Sequence, residues 1–148
     1  MKTANDTLSV VRCYHRGWTT KRFDVVAGLL SPNLVVEVPI NEYPTAETFV
    51  DAVAKFGAMV NRLVLLAEFA RRDEAMLLYD MYVQELGMLR VAEHFTVADG
   101  LIVRIRQIHD TAALRSAGFA SQRSPLPTEA SSGPSDAVPA VNTSRSAG

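Results

Sequence analysis

The stretch RVAEHFTVADGLIVRIRQIHD, residues 90–110, indicates the fold because it has the pattern of two β-strands joined by a tight turn. Asp99-Gly100 is a dipeptide that short hairpin turns favour, and β-branched and aromatic residues occur on both sides of it. A glutamate, Glu93, lies among the apolar residues of the first strand. If Glu93 lies on the inner face of the hairpin, it is a carboxyl in a pocket. If it lies on the outer face, it forms a surface ion pair.

Two turn geometries are compatible with residues 98–100, and they pair the strands differently. A two-residue type I′ turn places Glu93 opposite Arg106 and Phe95 opposite Arg104. In that register Glu93 forms a surface ion pair, which contributes little to stability.

A three-residue loop with Gly100 in the left-handed conformation places Glu93 opposite Ile105 and Val91 opposite Gln107. One face then collects Val91, Phe95, Val97, Val103 and Ile105, and the other collects Arg90, His94, Thr96, Arg104 and Arg106. A register slip moves a whole set of side chains to the other face, so this clean separation favours the three-residue loop. Glu93, Gln107 and His109 are then expected on the apolar face covered by helices.

A carboxyl on that face has to be paired, hydrogen-bonded or protonated, because loss of water disfavours its charged form and raises its pKa. Such a group can act as an acid or a base near neutral pH. The alternative is a buried glutamate held by Tyr14 or Gln107 that only orders the packing.

The preceding strand contains a second acid, Asp80, whose direction depends on the next turn. A two-residue turn at Leu86-Gly87 makes Asp80 face Glu93, which gives two neighbouring carboxyls that cannot both ionise cheaply. A three-residue loop turns Asp80 outward to solvent. The strand pattern by itself leaves both possibilities open.

Upstream of the hairpin, apolar residues recur with helical spacing in three segments. These positions are Leu8, Val11, His15 and Trp18; Phe23, Val26, Ala27 and Leu30; and Phe49, Val53, Phe56 and Val60. Ser31-Pro32 is expected to end the second helix and Thr45 to cap the third. LVVEVP, residues 34–39, predicts a short strand closed by Pro39.

The segments 61–72, 74–86, 88–98 and 101–109 are rich in β-forming residues and are separated by turn-forming pairs. They predict an antiparallel meander. Helices followed by such a sheet are typical of an α+β fold in which the helices pack on one face of the sheet.

The composition predicts one domain, residues 5–118, and a disordered tail at 119–148 that is rich in Pro, Ser, Ala and Gly. Lys and Arg total 15 against 16 Asp and Glu, so no broad basic surface is available for nucleic acid. No apolar stretch approaches the roughly 20 residues of a membrane helix, and the N-terminus lacks the apolar run of a secretory signal. These features predict a cytoplasmic protein that binds neither nucleic acid nor membranes.

The order of elements and the ending ADGLIVRIRQIHD resemble the nuclear transport factor 2 superfamily, in particular SnoaL-like domains, over about residues 5–118. The resemblance implies a cone-shaped, curved antiparallel sheet wrapped around the N-terminal helices, with a central pocket. It also implies a homodimer, for which the outer face of the sheet is the expected interface.

Ketosteroid isomerases of this superfamily use a tyrosine of the first helix and an acid of the sheet as hydrogen-bond donors to an oxyanion. Tyr14 and Glu93 stand at similar places, whereas the general-base position falls on Val38. Limonene epoxide hydrolases use an Asp, Arg, Asp set, of which Asp80 resembles the first member, while Leu78 and Gln107 replace the others. The resemblance implies that Asp80, Glu93 and Gln107 face the pocket.

The predicted function is therefore a cofactor-independent isomerase, cyclase or hydrolase that acts on a small apolar molecule. Asp80 is assigned as the base, and Glu93 and Tyr14 as donors to the oxyanion. The expected substrate-binding residues are Tyr82, Gln107, His109, Val38 and Ile105. No metal site is expected, because the three histidines lack ligand-like spacing with acids. The alternative is a domain of the same fold that only binds a small molecule or assembles.

Overall fold

The computed structural model describes residues 3–119 and has the predicted α+β architecture. The predicted tail at 119–148 lies, apart from Phe119, outside the described residues. The elements in chain order are α1 (Ala4–Thr19), α2 (Phe23–Gly28), β1 (Leu30–Glu37), α3 (Ala46–Gly57), β2 (Val60–Arg71), β3 (Glu74–Val83), β4 (Gly87–Ala98), β5 (Leu101–Ile108) and α4 (Ala112–Ser116).

The two long helices begin at threonines whose side chains complete a capping box. Thr3 accepts a hydrogen bond from the backbone N–H of Asp6, and Thr45 accepts one from that of Thr48. The predicted cap of α3 is thus confirmed. One side of α1, which includes Val11, is buried and packs on the sheet. This packing sets the direction of the neighbouring side chains of α1.

The five strands form one curved, open sheet in the order β1-β5-β4-β3-β2, and the last four build the predicted meander. β1 pairs in parallel with β5 at one edge. It begins at Leu30, earlier than predicted, and includes Pro32 at an irregularity in the ladder. Proline is tolerated there because an edge strand does not need every backbone N–H for pairing.

The hairpin of β4 and β5 has the two-residue turn of one predicted geometry and the inward-facing Glu93 of the other. Ala98 pairs with Leu101, so the turn holds only Asp99 and Gly100, both with positive φ (52° and 76°). The predicted three-residue loop is therefore wrong. A two-residue turn with positive φ at both positions matches the right-handed twist of the flanking strands.

A β-bulge farther from the turn changes the register again. Val97 pairs with Ile102 but Thr96 pairs with Arg104, which leaves Val103 as an extra residue in β5. Beyond the bulge, Glu93 pairs with Gln107. The bulge returns the arginines of β5 to the outer face and leaves Glu93 on the inner face, which is covered by helices.

The hairpin of β3 and β4 decides the direction of Asp80. Val83 pairs with Gly87, so three residues form the loop, and Asp80 pairs with Arg90. Glu93 pairs instead with Leu77, which lies three residues before Asp80 on β3. Asp80 and Glu93 therefore lie on opposite faces of the sheet, and the two-residue turn that would have brought them together is not formed.

Candidate functional site

A cavity of about 460 Å³ lies between the inner face of the sheet and the helices. Its volume falls within the range of small-molecule sites. The walls come from α1, α3, β3, β4, β5, the segment after β1 and the segment that contains α4. The lining residues are mostly apolar or aromatic, and they include Trp18, Val38, Ile40, Phe49, Val53, Phe56, Met59, Met81, Leu114 and Phe119.

Glu93 supplies the carboxyl of this cavity and is only 1% exposed. The Tyr79 hydroxyl donates a hydrogen bond to Oε1 over 3.4 Å, and the side-chain amide of Gln107 donates one to Oε2. Burial raises the pKa of Glu93 to about 7, although the hydrogen bonds from Gln107 and Tyr79 act in the opposite direction. A carboxyl with this pKa is present in both protonation states at neutral pH.

Tyr14 of α1 lines the same cavity and is buried. Its ring packs edge-on against Phe95, with centroids 5.4 Å apart, and this contact fixes where the hydroxyl lies. Within residues 3–119 the hydrogen bonds to Glu93 come from Tyr79 and Gln107, and none involves the Tyr14 hydroxyl, which is therefore available to donate to a ligand. Burial and the charge of Glu93 raise the pKa of Tyr14 well above its usual value, which keeps the phenol protonated.

Tyr79 is a site residue that the sequence-based assignment missed. It lies on β3 between Leu77 and Met81, in the alternating set that packs inward. Burial and the nearby Glu93 raise its pKa well above the usual value. The signal was present in the sequence, since a tyrosine in an inward-facing apolar set needs a partner for its hydroxyl.

Asp80 does not reach the cavity, which corrects its assignment as the base. Its carboxylate forms two hydrogen bonds with the Arg90 guanidinium, of 2.7 Å to Nε and 2.8 Å to Nη2. The hydrogen bond from Arg90 lowers the pKa of Asp80 below its usual value. The three-residue loop after β3 is the reason, because it sets Asp80 opposite an arginine on the outer face.

Two of the expected substrate-binding residues also lie elsewhere. Tyr82 shares the outer face with Asp80, and the guanidinium of Arg62 lies 5.5 Å from the centre of its ring. Ile105 faces inward but is fully buried in the core below the cavity lining, opposite Phe95. Val38, Gln107 and His109 do line the cavity.

The polar groups at the closed end of the cavity are thus one carboxyl, two phenols and one amide. An ionised Glu93 can accept a proton, and the free Tyr14 hydroxyl can stabilise negative charge on a ligand oxygen. Residues 3–119 contain no cluster of three or more side chains suited to hold a metal ion. None of the helices in this part of the chain is long and apolar enough to cross a membrane.

Comparison with known proteins agrees with this architecture. The model of the SnoaL-like domain matches residues 10–105. A protein from Kribbella flavida DSM 17836 is similar over 74% of this chain and 91% of its own length, with 28% identity and a TM-score of 0.70. The sequence matches none of the curated proteins with which it was compared.

Two further solved structures share the fold at lower identity. A protein described as a putative ketosteroid isomerase, also from Kribbella flavida DSM 17836, is 16% identical with a TM-score of 0.67, over 74% of this chain and 82% of that one. An epoxide hydrolase of M. tuberculosis, described as limonene-epoxide-hydrolase-like, is 16% identical with a TM-score of 0.64, over 76% of this chain and 89% of that one.

Proposed function

The chain belongs to the SnoaL-like domain family, and from that premise we propose that its cavity binds a small, mostly apolar carbonyl compound and that Glu93 moves a proton on it. The observation that carries the proposal is a buried carboxyl with a pKa of about 7 that shares the cavity with the unpartnered hydroxyl of Tyr14. A base with a pKa near the working pH combines the correct protonation state with sufficient driving force for proton transfer.

The proposed reaction uses Glu93 as the base. Ionised Glu93 takes a proton from the carbon next to the carbonyl, so that the C–H bond breaks and an O–H bond forms on the carboxyl. The electron pair moves onto the carbonyl oxygen, where the Tyr14 hydroxyl donates a hydrogen bond to the developing negative charge. Return of the proton to the same or another carbon then gives exchange, epimerisation or isomerisation.

Tyr79 and Gln107 serve the same step by holding the carboxylate. Each donates to one oxygen of Glu93, and each oxygen keeps a second acceptor direction for the incoming proton. They also lower the cost of ionisation in a cavity that is otherwise apolar. The base role assigned to Asp80 from the sequence therefore passes to Glu93, and the donor role stays with Tyr14.

Menthone tests this proposal because it is a small apolar ketone whose epimerisation requires loss of a proton beside the carbonyl. In D₂O the protein should speed its deuterium exchange, measured by NMR, with a rate that rises with pH and levels off above about 7. Glu93→Gln should reduce this rate by about 10²- to 10⁴-fold, the usual contribution of a general base. Binding should persist, as read from the fluorescence of Trp18, which is the one tryptophan of the chain and lines the cavity.

Asp80→Asn is the matched control, since it neutralises an acid of the neighbouring strand that lies outside the cavity. It should leave the exchange rate within about twofold. Loss of exchange in Asp80→Asn, or full exchange in Glu93→Gln, would contradict the assignment of Glu93 as the base.

A second function, binding without chemistry, is favoured by a specific observation. In the described part of the chain, Glu93 is the one acid that lines the cavity, and both of its oxygens already accept hydrogen bonds. Saturable quenching of Trp18 without any exchange in menthone or other apolar ketones would establish this function instead.

We also propose that two copies associate through the outer face of the sheet. Large apolar side chains are exposed there, among them Phe69, Met76, Met88 and Ile108, beside the ion pairs Asp80–Arg90 and Glu37–Arg106. Exposed apolar area of this kind, bordered by charges, is typical of interaction surfaces. A light-scattering mass of one chain at micromolar concentration would contradict the dimer.

A further inference from the structure

The cavity lining contains a second set of polar groups, all more exposed than Glu93. It consists of Asn41, Tyr43, Lys55 and His109, which we call the rim. Lys55 is exposed and the other three are partly exposed, whereas Glu93 is almost fully buried. A ligand that fills the cavity therefore meets a buried acid at the inner end and hydrogen-bond donors with a cation at the outer end.

Lys55 is placed at the rim by the last turn of α3. Phe49, Val53 and Phe56 of the same helix form part of the apolar wall, so Lys55 lines the cavity next to that wall. In the part of the chain that the structure describes, none of the ion pairs involves Lys55. Asp51, one turn earlier on α3, takes part in none of these ion pairs either.

Two neutral rim groups add donor capacity. The Asn41 side-chain amide donates to the Tyr43 hydroxyl oxygen over 3.4 Å, which leaves the hydroxyl proton of Tyr43 available. Among the described residues 3–119, Glu93 is the one acidic side chain in the cavity lining. The group that best complements this rim is an anionic acceptor.

We propose that the natural ligand is an apolar carboxylic acid that enters with its carbonyl end first and leaves its carboxylate at the rim beside Lys55. The inference rests on the proposed function, because that function places a carbonyl against Tyr14 and Glu93. It adds the second functional group of the ligand and the orientation in which the ligand binds.

The reverse orientation is disfavoured by the inner end of the cavity. A ligand carboxylate there would lie beside Glu93, and two carboxyls in a dry site cannot both be ionised without a large cost. Within residues 3–119, the polar groups beside Glu93 are the neutral side chains of Tyr14, Tyr79 and Gln107, and none of them is a cation. At the rim, by contrast, water and the ammonium group of Lys55 both stabilise the carboxylate.

The test uses three probes that share one phenyl ketone: benzoylbutyrate, its amide benzoylbutyramide, and butyrophenone, which lacks the acid group. Quenching of Trp18 fluorescence in the full-length protein gives each dissociation constant. Benzoylbutyrate should bind about two- to fivefold more tightly than the amide, as expected for an ion pair open to solvent. The preference should shrink at high salt.

Lys55→Gln should remove the preference for the acid and leave the affinity for the amide unchanged. Arg16→Gln is the matched control, because Arg16 is also an exposed cation in the last turn of a helix but does not line the cavity. That variant should keep the preference. Equal binding of acid and amide, a preference that survives Lys55→Gln, or no binding of benzoylbutyrate would overturn the inference.

Tyr14→Phe separates this inference from the proposed function. It should weaken all three ketones by the same factor, because it removes the donor to their carbonyl, and should leave the ratio of acid to amide unchanged. If the acid is not preferred while the menthone exchange still depends on Glu93, the rim assignment is wrong and the proposed function stands. If the acid is preferred without any exchange, the carboxylate site stands and the chemistry does not.

Discussion

Glu93 and Asp80 are carboxyls on neighbouring strands of one sheet, yet the two faces give them opposite properties. Glu93 faces the helices, is 1% exposed, and has a pKa raised to about 7 by burial. Asp80 faces outward, and its hydrogen bonds with Arg90 lower its pKa. The neutral hydrogen-bond donors beside Glu93 do not offset the rise in its pKa that desolvation causes. The charged guanidinium of Arg90 does offset the effect of desolvation on the pKa of Asp80.

The comparison shows that the direction of a side chain, more than its type, determines its chemistry in this fold. A cavity that lacks a cation at its inner end keeps a carboxyl partly protonated at neutral pH, which is useful for proton transfer. A paired carboxylate on the outer face stays ionised and suits recognition. Four predictions test this difference, beginning with the largest expected effect.

The inner face carries the stability of the domain. Phe95 is fully buried against Tyr14, and Phe69 on the outer face is 71% exposed. Phe95→Ala should lower the free energy of unfolding by about 3–5 kcal/mol, the usual result for a buried phenylalanine. Phe69→Ala should change it by no more than about 0.5 kcal/mol. Urea unfolding at a concentration where the chain is monomeric measures both, and equal effects would contradict the difference between the faces.

The raised pKa of Glu93 predicts how stability depends on pH. The folded protein holds this proton more tightly than the unfolded chain, so the stabilisation is complete below the unfolded value of 4.5 and is lost as pH rises through about 7. Relative to Glu93→Gln, the free energy of unfolding should fall by about 3 kcal/mol between these values. Parallel pH profiles for the two proteins would show that Glu93 titrates normally.

Gln107 should set the pH at which Glu93 ionises. Its amide donates to Glu93 and lowers the pKa of the carboxyl, so Gln107→Leu should raise that pKa further. A hydrogen bond to a charged group contributes about 1.5–3 kcal/mol, which corresponds to about one to two pH units. The pH profile of menthone exchange measures the shift. Gln84→Leu, in the exposed loop after β3, is the control and should not move the profile.

The ion pair of Asp80 and Arg90 should give the smallest effect, because its guanidinium is 59% exposed and open to screening by solvent, even though the Asp80 side chain is only 10% exposed. A double-mutant cycle with Asp80→Asn and Arg90→Gln measures their coupling. Because the pKa of Asp80 is lowered, the contribution is present above the unfolded value of 3.8 and is lost as pH falls through the folded pKa. A coupling as large as the Glu93 effect, or one insensitive to salt, would contradict the solvent-exposed character of the outer face.

The local signals of this sequence were sufficient for the fold. Helical spacing identified α1 and α3, the capping threonine Thr45 was confirmed, and the turn-forming pairs separated the four strands of the meander. The short helix α4 was not predicted, since five residues are too few to show a period. Its contribution to the cavity wall, through Leu114, was missed for the same reason.

The register of both hairpins was harder to predict, and the site depends on it. A bulge adds one residue to a strand and so reverses the alternation beyond it. The spacing of three between Ile102 and Ile105, both buried, is the trace of that bulge in the sequence. With a strict period of two, the sequence allowed only registers in which Glu93 faced Arg106 or Ile105.

The sequence by itself determined the fold class, the order of the elements and a small set of polar residues that could form a site, because these follow from local spacing and residue type. The tertiary structure decided which members of that set meet. One extra residue at Val103 and one in the loop after Val83 direct Glu93 toward Tyr79 and Gln107 and Asp80 toward Arg90. Such choices depend on the pairing of strands and on burial under the helices, which act between residues far apart in the chain.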